Sequence, residues 1–117
     1  MEHSIAISSR FKEYNVEFVD SFDSVKALAH EQETFFIIDR IVYNLYKDAF
    51  TSIEVDRLFL VDALEENKTM DTVLDICEMI TAMPSKRNTH LVSIGGGIVQ
   101  DITGMVANIL YLSLIHI

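Results

Sequence analysis

The sequence predicts an α/β domain built on a parallel sheet with flanking helices, preceded by an N-terminal antiparallel strand pair. Three observations carry that expectation. Short, continuously apolar runs, of the kind buried on both faces in parallel sheets, occur at residues 34–38, 57–61 and 91–94. Segments with apolar residues three and four apart, the spacing of an amphipathic helix, lie between and after them. Three consecutive glycines, Gly95, Gly96 and Gly97, mark the last strand-to-helix junction.

Taken in order, the chain opens with apolar-rich runs at residues 4–8 and 16–19, separated by a polar stretch, which read as the antiparallel pair. Residues 24–30 form a short helical candidate that Asp23 or Ser24 can cap. The apolar strand 34–38 closes at Asp39, and Val42, Leu45, Tyr46 and Ala49 then predict a helix over 41–50. After the strand 57–61, Thr69 opens the longest predicted helix as its cap, with Asp71 in the first turn and Pro84 preventing continuation. Its buried stripe is expected to be Val73, Ile76, Cys77, Ile80 and Met83. Residues 85–89 read as polar loop. Beyond the glycines, Ile98, Ile102, Met105, Val106, Ile109 and Leu110 predict a final helix from about Ile98. Alternation from residue 34 to 111 gives βαβ units with right-handed crossovers, a Rossmann-like arrangement.

Composition narrows the function. A chain of 117 residues bounds one domain with a single core, and 50% hydrophobic with 23% charged residues indicates a globular one. A formal net charge of −9 argues against a nucleic-acid surface, and Lys86-Arg87 is an isolated basic pair. Cys77 is the single cysteine, so it forms no intramolecular disulfide and reads as a buried apolar thiol. No cationic and apolar leader opens the chain, and no apolar run reaches the roughly 20 residues of a membrane span. A cytoplasmic protein is expected. His3, His30, His90 and His116 share no helical spacing, so no metal ligands are assigned. Nor does a Ser-His-Asp or Cys-His arrangement emerge, and no catalytic residue is assigned.

The glycine stretch carries the chemistry. Glycine lets another backbone or a ligand approach closely, and the first amides of the following helix lack partners within it. With the helix dipole these make a phosphate site. Asp101 is expected in the first helical turn, where it can reach a sugar hydroxyl. The plainer alternative is a turn that needs glycine for packing alone; the triplet together with Asp101 favours a nucleotide. The spacing is neither the G-x-G-x-x-G fingerprint nor a P-loop. Ligands of open α/β sheets bind beyond the carboxyl ends of the strands, which selects Asp39, residues 62–68 and residues 95–101. By itself Glu65-x-x-Lys68 could be a solvated pair worth about 0.3–0.5 kcal/mol, and Asp39 could cap a helix.

The segment Gly-Gly-Gly-Ile-Val-Gln-Asp-Ile-Thr-Gly, residues 95–104, resembles the glycine motif of 3-dehydroquinate synthases and related sugar-phosphate cyclases. Glu65-x-x-Lys68 resembles the family's glutamate-x-x-lysine, at a similar distance from the glycines. The resemblance implies a lyase that cyclises a seven-carbon sugar acid phosphate with loss of phosphate, a step of aromatic amino acid biosynthesis by the shikimate pathway. It implies NAD as a cofactor transiently reduced and regenerated, zinc or another divalent metal, and a homodimer when full length. It implies that Gly95, Gly96, Gly97 and Ile98 approach the pyrophosphate and adjoining ribose. Asp101 would serve the nicotinamide side, Glu65 and Lys68 the adenosine side, and Asp39 a ribose. Two positions depart from the family: Ile41 stands where it has asparagine, and Gln100 where most members have glycine.

The resemblance covers residues 34–111 well, the first 33 loosely, and stops there. Residues 1–111 are expected to be the NAD-binding domain, and 112–117 a non-native or truncated tail. The family's metal-binding glutamate and histidines and its phosphate-gripping lysines and arginines would fall beyond it, leaving this chain inactive alone. Iron-type alcohol or glycerol dehydrogenases share a three-glycine turn with a downstream aspartate, but Glu65-x-x-Lys68 favours the cyclases. A non-catalytic nucleotide-binding module is the rival from another class.

Overall fold

Six strands share one sheet in the computed structural model, whose described residues are 3–8, 13–18, 25, 34–83, 89–110 and 112–117. They are β1 (His3–Ser8), β2 (Glu13–Phe18), β3 (Thr34–Asp39), β4 (Leu58–Val61), β5 (His90–Ile94) and β6 (Ser113–His116). Across the sheet the order is β1-β2-β6-β5-β3-β4. β1 and β2 run antiparallel, from His3 opposite Phe18 to Ser8 opposite Glu13. The pairings β2–β6, β6–β5, β5–β3 and β3–β4 are parallel.

Three helices follow three of these strands: α1 (Arg40–Leu45), α2 (Met70–Thr81) and α3 (Gly97–Leu110). Side chains alternate across a strand, so β3 and β5 feed two cores. On one face Phe35, Ile37 and Leu91 meet Val73, Ile76, Cys77 and Ile80 of α2 and Val99, Ile102, Val106 and Ala107 of α3. On the other, Phe36, Ile38, Val92 and Ile94 meet Val25, Phe50 and Ile53, with Val42 and Tyr43 of α1 alongside. Each fully buried aliphatic side chain contributes roughly 1.5–3 kcal/mol, which is why both faces of β3 and β5 are apolar. Thr69 caps α2 as the sequence predicts, its hydroxyl accepting from the Thr72 amide at 3.3 Å.

The topology sets the site. From β3 the chain passes through α1 to β4 on one side. From β5 it passes through α3 to β6 on the other. Connection direction therefore reverses between the neighbouring strands β3 and β5, and in sheets of this kind the crevice at such a reversal takes the ligand.

Four expectations need correction. The helix predicted over 41–50 ends at Leu45; Tyr46 leaves helical geometry and a 3-10 turn, Lys47–Phe50, follows. That turn swings Phe50 into the core, where it stacks on Tyr43 at 5.7 Å, and leaves Leu45 and Tyr46 exposed. In α3 the buried stripe is Val99, Ile102, Thr103, Val106 and Ala107, while Met105 and Ile109 face outward. Thr103 tolerates burial because its hydroxyl donates to the Val99 carbonyl at 2.7 Å. Arg57 closes a 3-10 turn ahead of β4 rather than opening the strand, and its guanidinium lies over the Phe35 ring. Lastly, α3 is longer than α2, at 14 residues against 12.

Within residues 112–117, set apart by the sequence, Ser113–His116 pair as β6 with both β2 and β5, and Leu114 is buried. Apart from Val25, which is helical and fully buried, the short helix expected at 24–30 lies outside the described residues. So do Pro84 and the loop to residue 88.

Candidate functional site

At the carboxyl edge of the sheet three strand ends lie side by side. β3 ends in Asp39, whose carboxylate accepts from the Ile41 amide at 2.9 Å and so caps α1. β4 ends at Val61, register partner of Asp39, so the residues after them, Arg40 and Asp62, are neighbours. They join through Arg40 Nε and Asp62 Oδ1 at 2.8 Å. Asn67 Nδ2 donates to the Asp62 carbonyl at 2.9 Å, folding residues 62–67 back over the edge.

β5 ends at Ile94 and the glycines follow. Gly95 has φ +152°, a value that L side chains rarely adopt. A Cβ there would come within 3.0 Å of Asp39 Cβ and 3.1 Å of Val99 Cβ. It is a packing glycine, fixed by the approach of the β5 turn to the end of β3. Gly96 and Gly97 are different: both are exposed, and nothing lies within 4 Å of where their Cβ atoms would be. That open space fronts the first turn of α3, whose leading amides have no carbonyl partners inside the helix. Gln100 braces the turn, its backbone amide on the Gly96 carbonyl at 3.1 Å and its side-chain amide on the Gly95 carbonyl at 3.3 Å.

The helix starts at Gly97, which moves Asp101 out of the first turn where the sequence reading put it. From there its carboxylate pairs with Lys68 Nζ at 2.9 Å. This bridge ties the Glu65-x-x-Lys68 segment to the glycine helix. The hydrogen bond to Asp101, and then the charges of Asp101 and Glu65, hold the Lys68 ammonium above the usual lysine range. Glu65 lies in a 3-10 turn, Glu65–Asn67, and is exposed. Ile98 is half-buried against the α2–α3 core.

Of the residues selected from sequence, the structure thus brings Asp39 against Gly95 and Lys68 against Asp101, and sets Gly96 and Gly97 in open space. It adds Arg40, and gives contacts to Asp62 and Gln100, which the sequence placed only within the stretches 62–68 and 95–101. A sequence signal for Arg40 existed, since it is the residue just past a parallel strand end. Cys77 is buried on α2 and desolvation pushes its thiol up, in keeping with a core role. A separate open cleft of about 450 Å³ is lined by residues 44–49. It contains none of the glycines and no start of a long helix, so the edge at β3 and β5 is the better ligand site. Among the described residues no three His, Cys, Asp or Glu side chains are grouped to hold a metal ion, and no helix is long and apolar enough to cross a membrane.

A family model described as 3-dehydroquinate synthase N-terminal matches residues 58–116. The 3-dehydroquinate synthase of Clostridium tetani (strain Massachusetts / E88) is 32% identical over 92 residues, 75% of this chain and 24% of that protein. A 2-epi-5-epi-valiolone synthase from Actinomyces sp is 35% identical over 80 residues, 63% of this chain and 21% of that one. This chain therefore spans only about a quarter of the length of these relatives. The fold is shared with a crystal structure of 2-deoxy-scyllo-inosose synthase complexed with carbaglucose-6-phosphate, NAD+ and Co2+. That likeness has a TM-score of 0.66 at 20% identity, over 98% of this chain and 35% of the other.

Proposed function

The chain belongs to the 3-dehydroquinate synthase family, and on that premise we propose that residues 1–111, with β6 completing their sheet between β2 and β5, form its NAD-binding domain. The observation that carries the reading is the open space around Gly96 and Gly97 at the start of α3, placed where the sheet's connections reverse. A pyrophosphate needs amides it can reach and no Cβ in the way, and these two positions offer both. The residues therefore fit the dinucleotide.

In this reading the amides of Gly96, Gly97 and Ile98 bind the pyrophosphate, while Gly95 and Gln100 hold the turn in shape. Asp39 accepts a ribose hydroxyl beside its capping bond, and Glu65 with Lys68 borders the adenosine side. Asp101 positions the nicotinamide end, and its bridge to Lys68 keeps the two motifs in register. When bound, NAD supplies reversible hydride acceptance, so that a secondary hydroxyl of the substrate can become a carbonyl and be restored. The reaction we assign to the full-length protein is cyclisation of a seven-carbon sugar acid phosphate with loss of phosphate, as a homodimer. The described residues do not group three His, Cys, Asp or Glu side chains as a metal site.

Calorimetric titration tests the reading. NAD is expected to bind the folded chain at a single site, and Asp101→Asn to weaken it modestly, because the amide still accepts a hydroxyl proton without the carboxylate's charge. With zinc and the family substrate added, the chain alone should release no phosphate. Absence of NAD binding to folded protein would overturn the proposal, and phosphate release would overturn the division of labour.

A further inference from the structure

We propose that the Arg40–Asp62 pair makes this edge select NAD over its 2′-phosphorylated form, an inference that rests on the dinucleotide reading above. In α/β folds the adenosine ribose is read at the end of the strand next to the glycine turn. An acid there accepts the 2′-hydroxyl, whereas a nearby arginine accommodates a 2′-phosphate. Both residue types occur here in succession. Asp39 ends β3 and is the nearest neighbour of Gly95 across the turn; Arg40 follows it directly.

What decides between them is where Arg40 is held. Its Nε bonds Asp62 Oδ1 at 2.8 Å, so its charge is cancelled and its side chain is drawn toward the end of β4. Lys68, the other cation found at this edge among the described residues, is occupied by Asp101 at 2.9 Å. The charges left from residue 39 to 66 on this edge are then carboxylates: Asp39, Glu65 and Glu66. A ribose hydroxyl suits that surroundings, and a dianionic phosphate does not. Because the ion pair is exposed on both sides and uses only Nε, a free guanidinium needs no repacking to turn toward a phosphate. Asp62 thus acts as a brake on an arginine that would otherwise read the wrong cofactor.

The experiment compares NAD and NADP affinities, by calorimetry, for the wild-type chain, Asp62→Asn, and Asp62→Asn combined with Arg40→Gln. The wild type should prefer NAD. Asp62→Asn should strengthen NADP by about tenfold, from loss of one carboxylate and release of one guanidinium at an exposed edge, with NAD affinity little changed. Adding Arg40→Gln should remove most of that gain. A pair that only joins β3 to β4 would shift both cofactors alike. Melting curves should coincide, because the bond from Asn67 goes to the Asp62 backbone. An unchanged NADP-to-NAD ratio in Asp62→Asn, in protein that binds NAD, would overturn this proposal alone. Absence of NAD binding to the wild type would overturn the cofactor reading and this proposal with it.

Discussion

The β3–α1 and β5–α3 junctions stand side by side at the sheet's reversal and treat the start of a helix in opposite ways. At the first, a side chain closes the helix: Asp39 takes the Ile41 amide, and α1 runs only six residues. At the second, the turn is glycine, and a 14-residue helix begins facing open space. The two meet at Gly95, whose missing Cβ is what lets Asp39 come so near. The side-chain cap takes up a leading amide of α1, whereas the glycines leave open space at the amides that begin α3. The contrast extends within the triplet itself, because Gly95 is required by the fold while Gly96 and Gly97 are required only if something binds.

That division can be broken most forcefully at Gly96. At Gly96 an added Cβ meets nothing within 4 Å, so in Gly96→Val folding and melting temperature should stay close to wild type. NAD affinity should fall about a hundredfold or more, the loss of two hydrogen bonds to a charged group at roughly 1.5–3 kcal/mol each. Calorimetry and circular dichroism on the same sample separate the two effects. Gly95→Ala should do the reverse in kind: the φ of +152° and the 3.0 Å contact cost about 1–3 kcal/mol of stability, seen as a lower melting temperature. Next in size, Asp39→Ala removes the α1 cap and should cost about 1 kcal/mol in denaturant titration.

The smallest effect is expected at the bridge between the motifs. Lys68 titrates above its ordinary 10.5 in the folded chain, chiefly through its hydrogen bond to Asp101. A raised value for a cation means that its contribution is fully present below 10.5 and is lost only as pH climbs through the raised value. The melting difference between wild type and Lys68→Gln should therefore be small and flat through neutral pH, and should shrink in the alkaline limb. A difference unchanged as pH climbs past the raised value would mean that the Lys68 charge plays no part in the bridge.

Most of the architecture was legible because β3, β5 and α2 obey simple periodicities. Thr69 as cap and Val73, Ile76, Cys77 and Ile80 as stripe follow from hydroxyl chemistry and spacing alone. The α3 stripe was misread because apolar identity was counted: Thr103 hides a buried position behind a polar label, and Met105 and Ile109 are apolar yet exposed. The break after Leu45 was invisible because it serves Phe50, whose stacking on Tyr43 is a tertiary demand. In the site, the glycines and Asp39 could be found from strand ends. The Lys68–Asp101 and Arg40–Asp62 contacts could not, since they depend on which strands become neighbours.

The most direct measurement is amide chemical-shift mapping of isotope-labelled protein titrated with NAD. The largest perturbations should fall on Gly96, Gly97 and Ile98, with smaller ones at Asp39, Lys68 and Asp101, and should saturate together. Perturbations centred instead on residues 44–49, or a spectrum that NAD leaves unchanged, would contradict the assignment of the glycine turn as the cofactor grip.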